Sequence, residues 1–584
     1  MKNLIKYLSV LFLVVASSCS DYIDLNSESN IIADDYYKNY IELQSGLTAC
    51  YKGMQDPLIE EWSLTELRSD NTIMDGGSST STPNHDLAFL DQFYPPTTHQ
   101  GVYKYWLKTY NNIKNCNTVL NACGANFNAS SGLIEYEPVT IDATQSQCKS
   151  IAAEASFIRA HHYFNLVRLY GDLFLIDEPI TAEEAKMINR SAIATIYKLI
   201  EADLKNTIAN GNSASYSASS LDLGRANVWA AKALLAKVYL TRGRQSEAST
   251  LLDSVIVSSG YSLQSNYGNV FSVNNEMNSE ILFAIRFKGG GLGMGNPLSN
   301  LFAPTNTGNA VINGDGKGYN TPTSELLNQF TASATVVDKR REFNIGEFAK
   351  YTSKTTVATT TAILTLTSLN NIKVGQFVSG LGITGSTKKV KTINPALSQV
   401  TLSATVSVPA NTTLSFYTSV YPNKYISPTV LAFDAENDVP VLRYSDVLLM
   451  KAEADGNSTA SMTIINQIRA RAGFTTPLAT TVTIDVFEKA LSLERKLEFA
   501  FENQRWFDLL RFNTTFQNTA NKAEGVMDAH FTAMWSAVYS TFSVLPITAA
   551  ELQANSNPNR YLLPIPQYEI DTNSFISIPQ NPGY

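Results

Sequence analysis

The sequence predicts a mainly α protein whose frame is helix–turn–helix pairs of the tetratricopeptide kind, with an irregular loop-rich half and a small all-β insertion. Three observations carry this. Apolar residues recur at a 3.6-residue period in segments that come in pairs. Gly/Asn/Ser/Pro-rich stretches such as Lys288 to Pro322 separate the pairs and are too long to be idle connectors. From Thr352 to Thr418 acidic residues almost vanish, while Thr, Val, Ser and Leu alternate in short strand-like runs.

The first element is an export signal over residues 1–18. Lys2 and Lys6 are positive, and the apolar run from Leu8 to Ala16 is far shorter than the roughly 20 residues of a membrane span. Ala16, Ser17 and Ser18 supply the small side chains a signal peptidase needs, and Cys19 follows directly. A thiol there is what lipoprotein processing acylates, so Cys19 is expected to be the lipid anchor. Each buried CH₂ is worth about 0.8 kcal/mol, so several acyl chains hold firmly.

The mature chain is read as 19–351, an inserted module over 352–418, and 419–584. In the first part, Ala155, Ile158, His162, Leu166 and Leu169 form one helical stripe that Gly171 ends. His162 on that stripe reads as a core histidine. The alanine-rich run from Ala226 to Leu240 turns at Arg242-Gly243-Arg244 into a helix with Ala248, Leu252 and Val255 on its apolar side. Small residues on the first let the second pack closely.

The inserted module carries strand-like runs at Ala362–Leu366, Val400–Ser403 and Thr413–Phe416. Tyr351-Thr352-Ser353 and Tyr417-Thr418-Ser419 look like the two sides of a hairpin at its base. In the last part Val441–Ala454 and Met462–Ala472 pair around Gly456. A further helix starts at Asp485, where Glu488 suggests a capping box and Val486, Ala490, Leu493, Leu497 and Ala500 a stripe.

Composition narrows the function. A net charge of −8 leaves no basic surface for nucleic acid. Cys50, Cys116, Cys123 and Cys148 show no Cys-x-x-Cys or metal-finger spacing, and on one helix Cys116 and Cys123 would lie about 10 Å apart, too far for a disulfide. No His-Glu-x-x-His or Gly-x-Ser-x-Gly occurs, so zinc and serine hydrolase readings lack support. Asn313–Gly318 faintly resembles a calcium loop, but Lys317 and Ser324 stand where oxygen ligands are needed, so it reads as a flexible glycine loop and no metal or cofactor is expected. The surplus of flat rings, 28 Tyr and 27 Phe with 5 Trp, suits sugar or peptide surfaces.

Several motifs together resemble the SusD/RagB family of nutrient-binding outer-membrane lipoproteins of Bacteroidetes. They are Glu154-Ala155-x-Phe157-x-Arg159-Ala160 continuing through Tyr163–Asp172, Gly224-Arg225-Ala226, and Pro440–Tyr444 with Asp446–Ala454. Glu494–Glu502 with Arg505-Trp506-Phe507-Asp508-Leu509, and Gln580–Tyr584, complete the set. The resemblance covers nearly the whole mature chain outside the insert. It implies a SusD-like fold with four tetratricopeptide-like pairs and a SusC-like TonB-dependent outer-membrane barrel as partner. The implied activity is capture of a glycan, or alternatively a peptide, at the cell surface without catalysis.

Capture needs exposed rings and planar hydrogen-bonding groups. Trp62, Arg68, Asp70 and Asn71 cluster in the irregular half, with Tyr94, Tyr267 and Tyr319 in later loops, and these are the expected ligand contacts. Glu494 and Glu498, one turn apart near Arg505 and Trp506, are expected to fix the helical frame as buried ion pairs. A catalytic carboxylate pair of a surface glycosidase is the remote alternative.

Overall fold

A computed structural model describes residues 37–74, 84–330, 336–385, 388–542, 545–573 and 575–584. The signal segment 1–18 and Cys19 lie outside the described residues.

The frame is helical. α1 (Tyr40–Gly53), α2 (Gln55–Thr65), α3 (Gln100–Ala122), α4 (Gln145–Tyr170) and α5 (Ile193–Asn210) lead into α6 (Val228–Thr241) and α7 (Gln245–Ser258). α4 is central, packed on both α3 and α5. It is buried almost all round because its residues from Ile151 to Val167 are small or apolar, with polar exceptions that find partners. Thr144 and Gln147 cap its start reciprocally, and Gly171, at φ 75°, ends it in a backbone region that a side chain would oppose. His162 accepts or donates a 2.8 Å hydrogen bond with Asn112, and burial pushes its ring down to about 3, so it is a neutral core group. Cys50, Cys116, Cys123 and Cys148 are buried free thiols.

The last part adds α8 (Tyr444–Asp455), α9 (Thr459–Arg471), α10 (Ile484–Glu498) and α11 (Arg505–Thr515), and α8 packs on α7. Two expectations change here. The first residues of the expected helix from Val441 form a strand, β2 (Val439–Arg443), antiparallel to β1 (Ile281–Ile285). α10 is capped by Thr483, whose side chain accepts from the Val486 backbone. Glu488 instead binds the backbone N–H groups of Gln517 and Asn518. Its buried side carries Phe487, Leu491, Glu494, Arg495 and Glu498, while Val486 is exposed. Leu497 and Ala500 of the expected stripe are buried with Leu493 packed beside them, so apolar contacts and ion pairs share the buried side.

The segment between the two parts has its own core. Strands Phe377–Gly380, Thr413–Tyr417 and Tyr351–Lys354 form one three-stranded sheet, and Ile363–Thr365, Gln399–Leu402 and Val390–Asn394 another. Leu364, Val378, Val400, Leu414 and Phe416 fill the space between them, separate from the main core. Tyr351 pairs with Phe416, and below it Ile345–Phe348 pairs with Ser419–Pro422, so chain entry and exit form a two-stranded stalk.

Candidate ligand-binding surface

Most of the expected ligand contacts are interior. Trp62 is 4% exposed on α2, stacked on Tyr319 at 5.9 Å and edge-on to Phe302 at 5.4 Å. Arg68 is fully buried, donating to the Arg560 carbonyl at 2.7 Å with its guanidinium over the rings of Phe93 and Trp506. Asp70 is held by Lys496 and Arg505, each at 2.7 Å. Burial alone would raise its carboxyl, but those two cations hold it well below the usual carboxylate range. Asn71 donates to Glu66 at 2.8 Å, and its carbonyl accepts from Thr323.

Tyr267 is 2% exposed and donates to Asn344 and to the Glu498 carbonyl. The expectation that Trp62, Arg68, Asp70, Asn71 and Tyr267 present themselves to ligand is therefore corrected. They occupy the seam where the loop-rich half locks onto α10 and α11, where Asp70 is ion-paired and Arg68 is satisfied by backbone carbonyls and ring faces. Tyr319 keeps partial exposure but spends one face on Trp62.

The conspicuous carboxylates are likewise committed. Glu498 accepts from Arg340, Arg443 and Arg471, and Glu494 from Arg340 at 2.6 Å. Burial would raise Glu498, yet Arg471, Arg443 and Arg340 hold it far below its ordinary value. Both side chains are essentially inaccessible, with no room for a glycosidic bond between them. Arg495 is held between Asp508 and Asp446, and Arg511 lies on Glu453, tying α8, α10 and α11 together. Trp506 is buried against Phe93 and Tyr561.

Tyr94 is different. Phe93 adopts φ 55°, which reverses the chain so that Phe93 points into the core and Tyr94 stands 51% exposed. Pro95 and Pro96 follow and keep the backbone extended. The Arg560 guanidinium lies 4.7 Å from the Tyr94 ring and 4.8 Å from that of Tyr584, whose hydroxyl donates to the Leu562 carbonyl. The guanidinium is thus held between two rings, and the Arg68 hydrogen bond anchors its backbone from beneath. A second ring pair, Tyr103 and the exposed Tyr568, stands at 5.0 Å, and the Gln567 N–H joins its segment to Thr97. Flat rings edged by a fixed planar donor can stack on an apolar sugar face while binding its hydroxyls.

A further exposed patch gathers Leu292, Val430, Leu431 and Phe433, with the Lys317 ammonium 5.7 Å from the Phe433 ring. Asn300 staples it, donating to the carbonyls of Asn313 and Asp315 and accepting from the Phe433 N–H. Asp315 closes the adjacent loop by accepting from Asn306 and Thr307. Among the described residues no group of three or more His, Cys, Asp or Glu is placed to hold a metal ion. Sequence reasoning missed Arg560 and Phe433, since only long-range packing brings them beside Tyr94 and Lys317.

Residues 21–240 match the family model described as starch-binding associating with outer membrane. Over 599 residues the chain is 23% identical to SusD-like protein P2 of Formosa agariphila, covering 98% of each. It is 27% identical to SusD-like protein P25 of the same organism over 291 residues, about half the length of each chain (49% and 52%). Its fold is similar to that of surface glycan-binding protein A from Bacteroides thetaiotaomicron in complex with laminarihexaose, with a TM-score of 0.62 at 19% identity, covering 93% of this chain and 99% of that one. With residues 254–584 matching the SusD family model, the chain belongs to the SusD family.

Proposed function

We propose that this protein is a lipid-anchored surface receptor that captures an oligo- or polysaccharide and hands it to a SusC-like TonB-dependent outer-membrane barrel. The observation that carries the capture step is the Tyr94–Arg560–Tyr584 platform: an exposed ring beside a guanidinium that Tyr584 flanks and whose backbone carbonyl Arg68 binds. Family membership and the laminarihexaose complex of a protein with the same fold support a glycan as ligand. Among the described residues no helix is long and apolar enough to cross a membrane. The anchor in this reading is Cys19, supported by the small residues Ala16, Ser17 and Ser18 that precede it.

Affinity electrophoresis against laminarin and a panel of other polysaccharides tests the platform. Losing one stacking ring costs roughly 1–2 kcal/mol, so Tyr94→Ala should weaken binding about tenfold. Arg560→Ala should weaken it similarly. A double variant that still binds as tightly as the parent removes this site from consideration. Retention of oligopeptides with no polysaccharide would turn the reading towards peptide capture. The anchor has its own test, because Cys19→Ala should move the protein out of the membrane fraction. Delivery predicts that the barrel co-purifies with the protein from detergent-solubilised membranes.

A further inference from the structure

A cavity of about 330 Å³ opens beside α3, bounded by the hairpin Leu173–Phe174/Arg190–Ser191 and by the segment that follows Gln567. Its wall is a box of rings. Trp106 lies 4.9 Å from Tyr110 and 5.7 Å, edge-on, from Phe174, and Tyr110 is 6.4 Å from Phe174. The Tyr110 hydroxyl donates to the Phe174 carbonyl, which fixes that ring in place. Leu107, 40% exposed, marks the mouth.

One carboxyl lines this box, that of Glu569. Among the described residues no cation pairs with it and no donor binds it. It shares the cavity lining with Tyr110 and Phe174, and burial alone raises it from its ordinary value. Lys186 also lines the cavity, but its ammonium is spent on Glu183 at 2.7 Å and lies over the Phe575 ring. A partly desolvated carboxylate without a counter-charge is costly, and a ring box presents negative π-faces. Both demand the same complement.

We propose that this cavity binds an organic ammonium group, held against the partly exposed rings of Tyr110 and Phe174, which Trp106 backs from the core, and paired with the Glu569 carboxylate. The site is separate from the Tyr94 platform and does not depend on the glycan reading. The open cavity of about 330 Å³ suits a small alkylammonium compound of choline size.

Titration calorimetry of the purified protein with choline tests the assignment, with the neutral tert-butyl analogue of choline as comparison. Choline should bind with one-to-one stoichiometry, and the neutral analogue should bind at least about tenfold more weakly. Glu569→Gln should lose about tenfold for choline and nothing for the neutral analogue. Leu107→Trp, which narrows the mouth from an exposed position, should weaken both ligands and guards against a Glu569 variant that misfolds. Tyr94→Ala should leave choline affinity unchanged. No choline binding, equal binding of choline and its neutral analogue, or undiminished choline binding by Glu569→Gln would each overturn the proposal.

Discussion

Arg443→Ala should destabilise the protein by about 3–5 kcal/mol, the range expected when one partner of a buried ion pair is removed. Arg443 ends β2 and is almost fully buried. Its Nε donates to Glu502 at 2.7 Å and its Nη1 to Glu280 at 2.7 Å and to Glu498 at 3.0 Å. Its Nη2 reaches the Glu498 carbonyl and Glu502. Truncation leaves three buried carboxylates sharing Arg471, Arg340 and Lys424. Lys424 is a poor substitute, because burial lowers its ammonium to about 8 despite the nearby Glu502.

The apolar Arg443→Met should be destabilised comparably, since it restores packing but not the counter-charge. Urea unfolding at pH 7 reads the effect as a fall in midpoint with the slope unchanged. An unfolding free energy within about 1 kcal/mol of the parent's would mean that these charges do not hold β2 to α10.

Glu66→Gln should change how stability depends on pH. Glu66 Oε1 accepts from Asn71 at 2.8 Å and from the Phe501 N–H at 2.6 Å, whereas Oε2 is buried with no partner among the described residues. Burial raises this carboxyl from 4.5 to about 7, against the pull of those two hydrogen bonds. Between those values the folded protein keeps a proton that the unfolded chain has released. The stability Glu66 contributes is therefore fully present below about pH 4.5 and is lost as pH rises through 7, to a ceiling of about 3 kcal/mol.

Glutamine retains the Oε1 acceptor and never ionises. The difference between variant and parent should move in favour of the variant by up to about 3 kcal/mol from pH 4.5 to 7.5. Parallel curves over that range would mean that Glu66 is already ionised in the fold at acid pH. Asp70 and Glu498, whose carboxyls are held low, contribute in the opposite sense. Their stability fades only as pH falls below the ordinary carboxylate range, so the two windows do not overlap.

Much of the frame was legible locally. Gly171 stops α4, and Arg242-Gly243-Arg244 turns α6 into α7, because cap and turn residues act on their own neighbours. The alternating Thr/Val/Leu runs after Tyr351 form strands with a core of their own, because period-two patterning encodes one buried face. The stretch Val441-Leu442-Arg443 read as helix and is strand, because its partner β1 lies far away in sequence.

The candidate site was less legible for a related reason. Trp62 and Tyr94 are both aromatic residues near turns, and no local pattern separates the buried one from the exposed one. The positive φ of Phe93 and the arrival of Arg560 from the far end of the chain make Tyr94 a platform. The pairing of Asp70 with Lys496 and Arg505 turns an expected ligand contact into a structural tie. By itself the sequence determined the helical pairs, the β module and the membership motifs, since caps, turns and hydrophobic period are short-range physics. Only the tertiary structure decided which rings meet solvent and which charges meet each other, because burial and ion pairing depend on residues hundreds of positions apart.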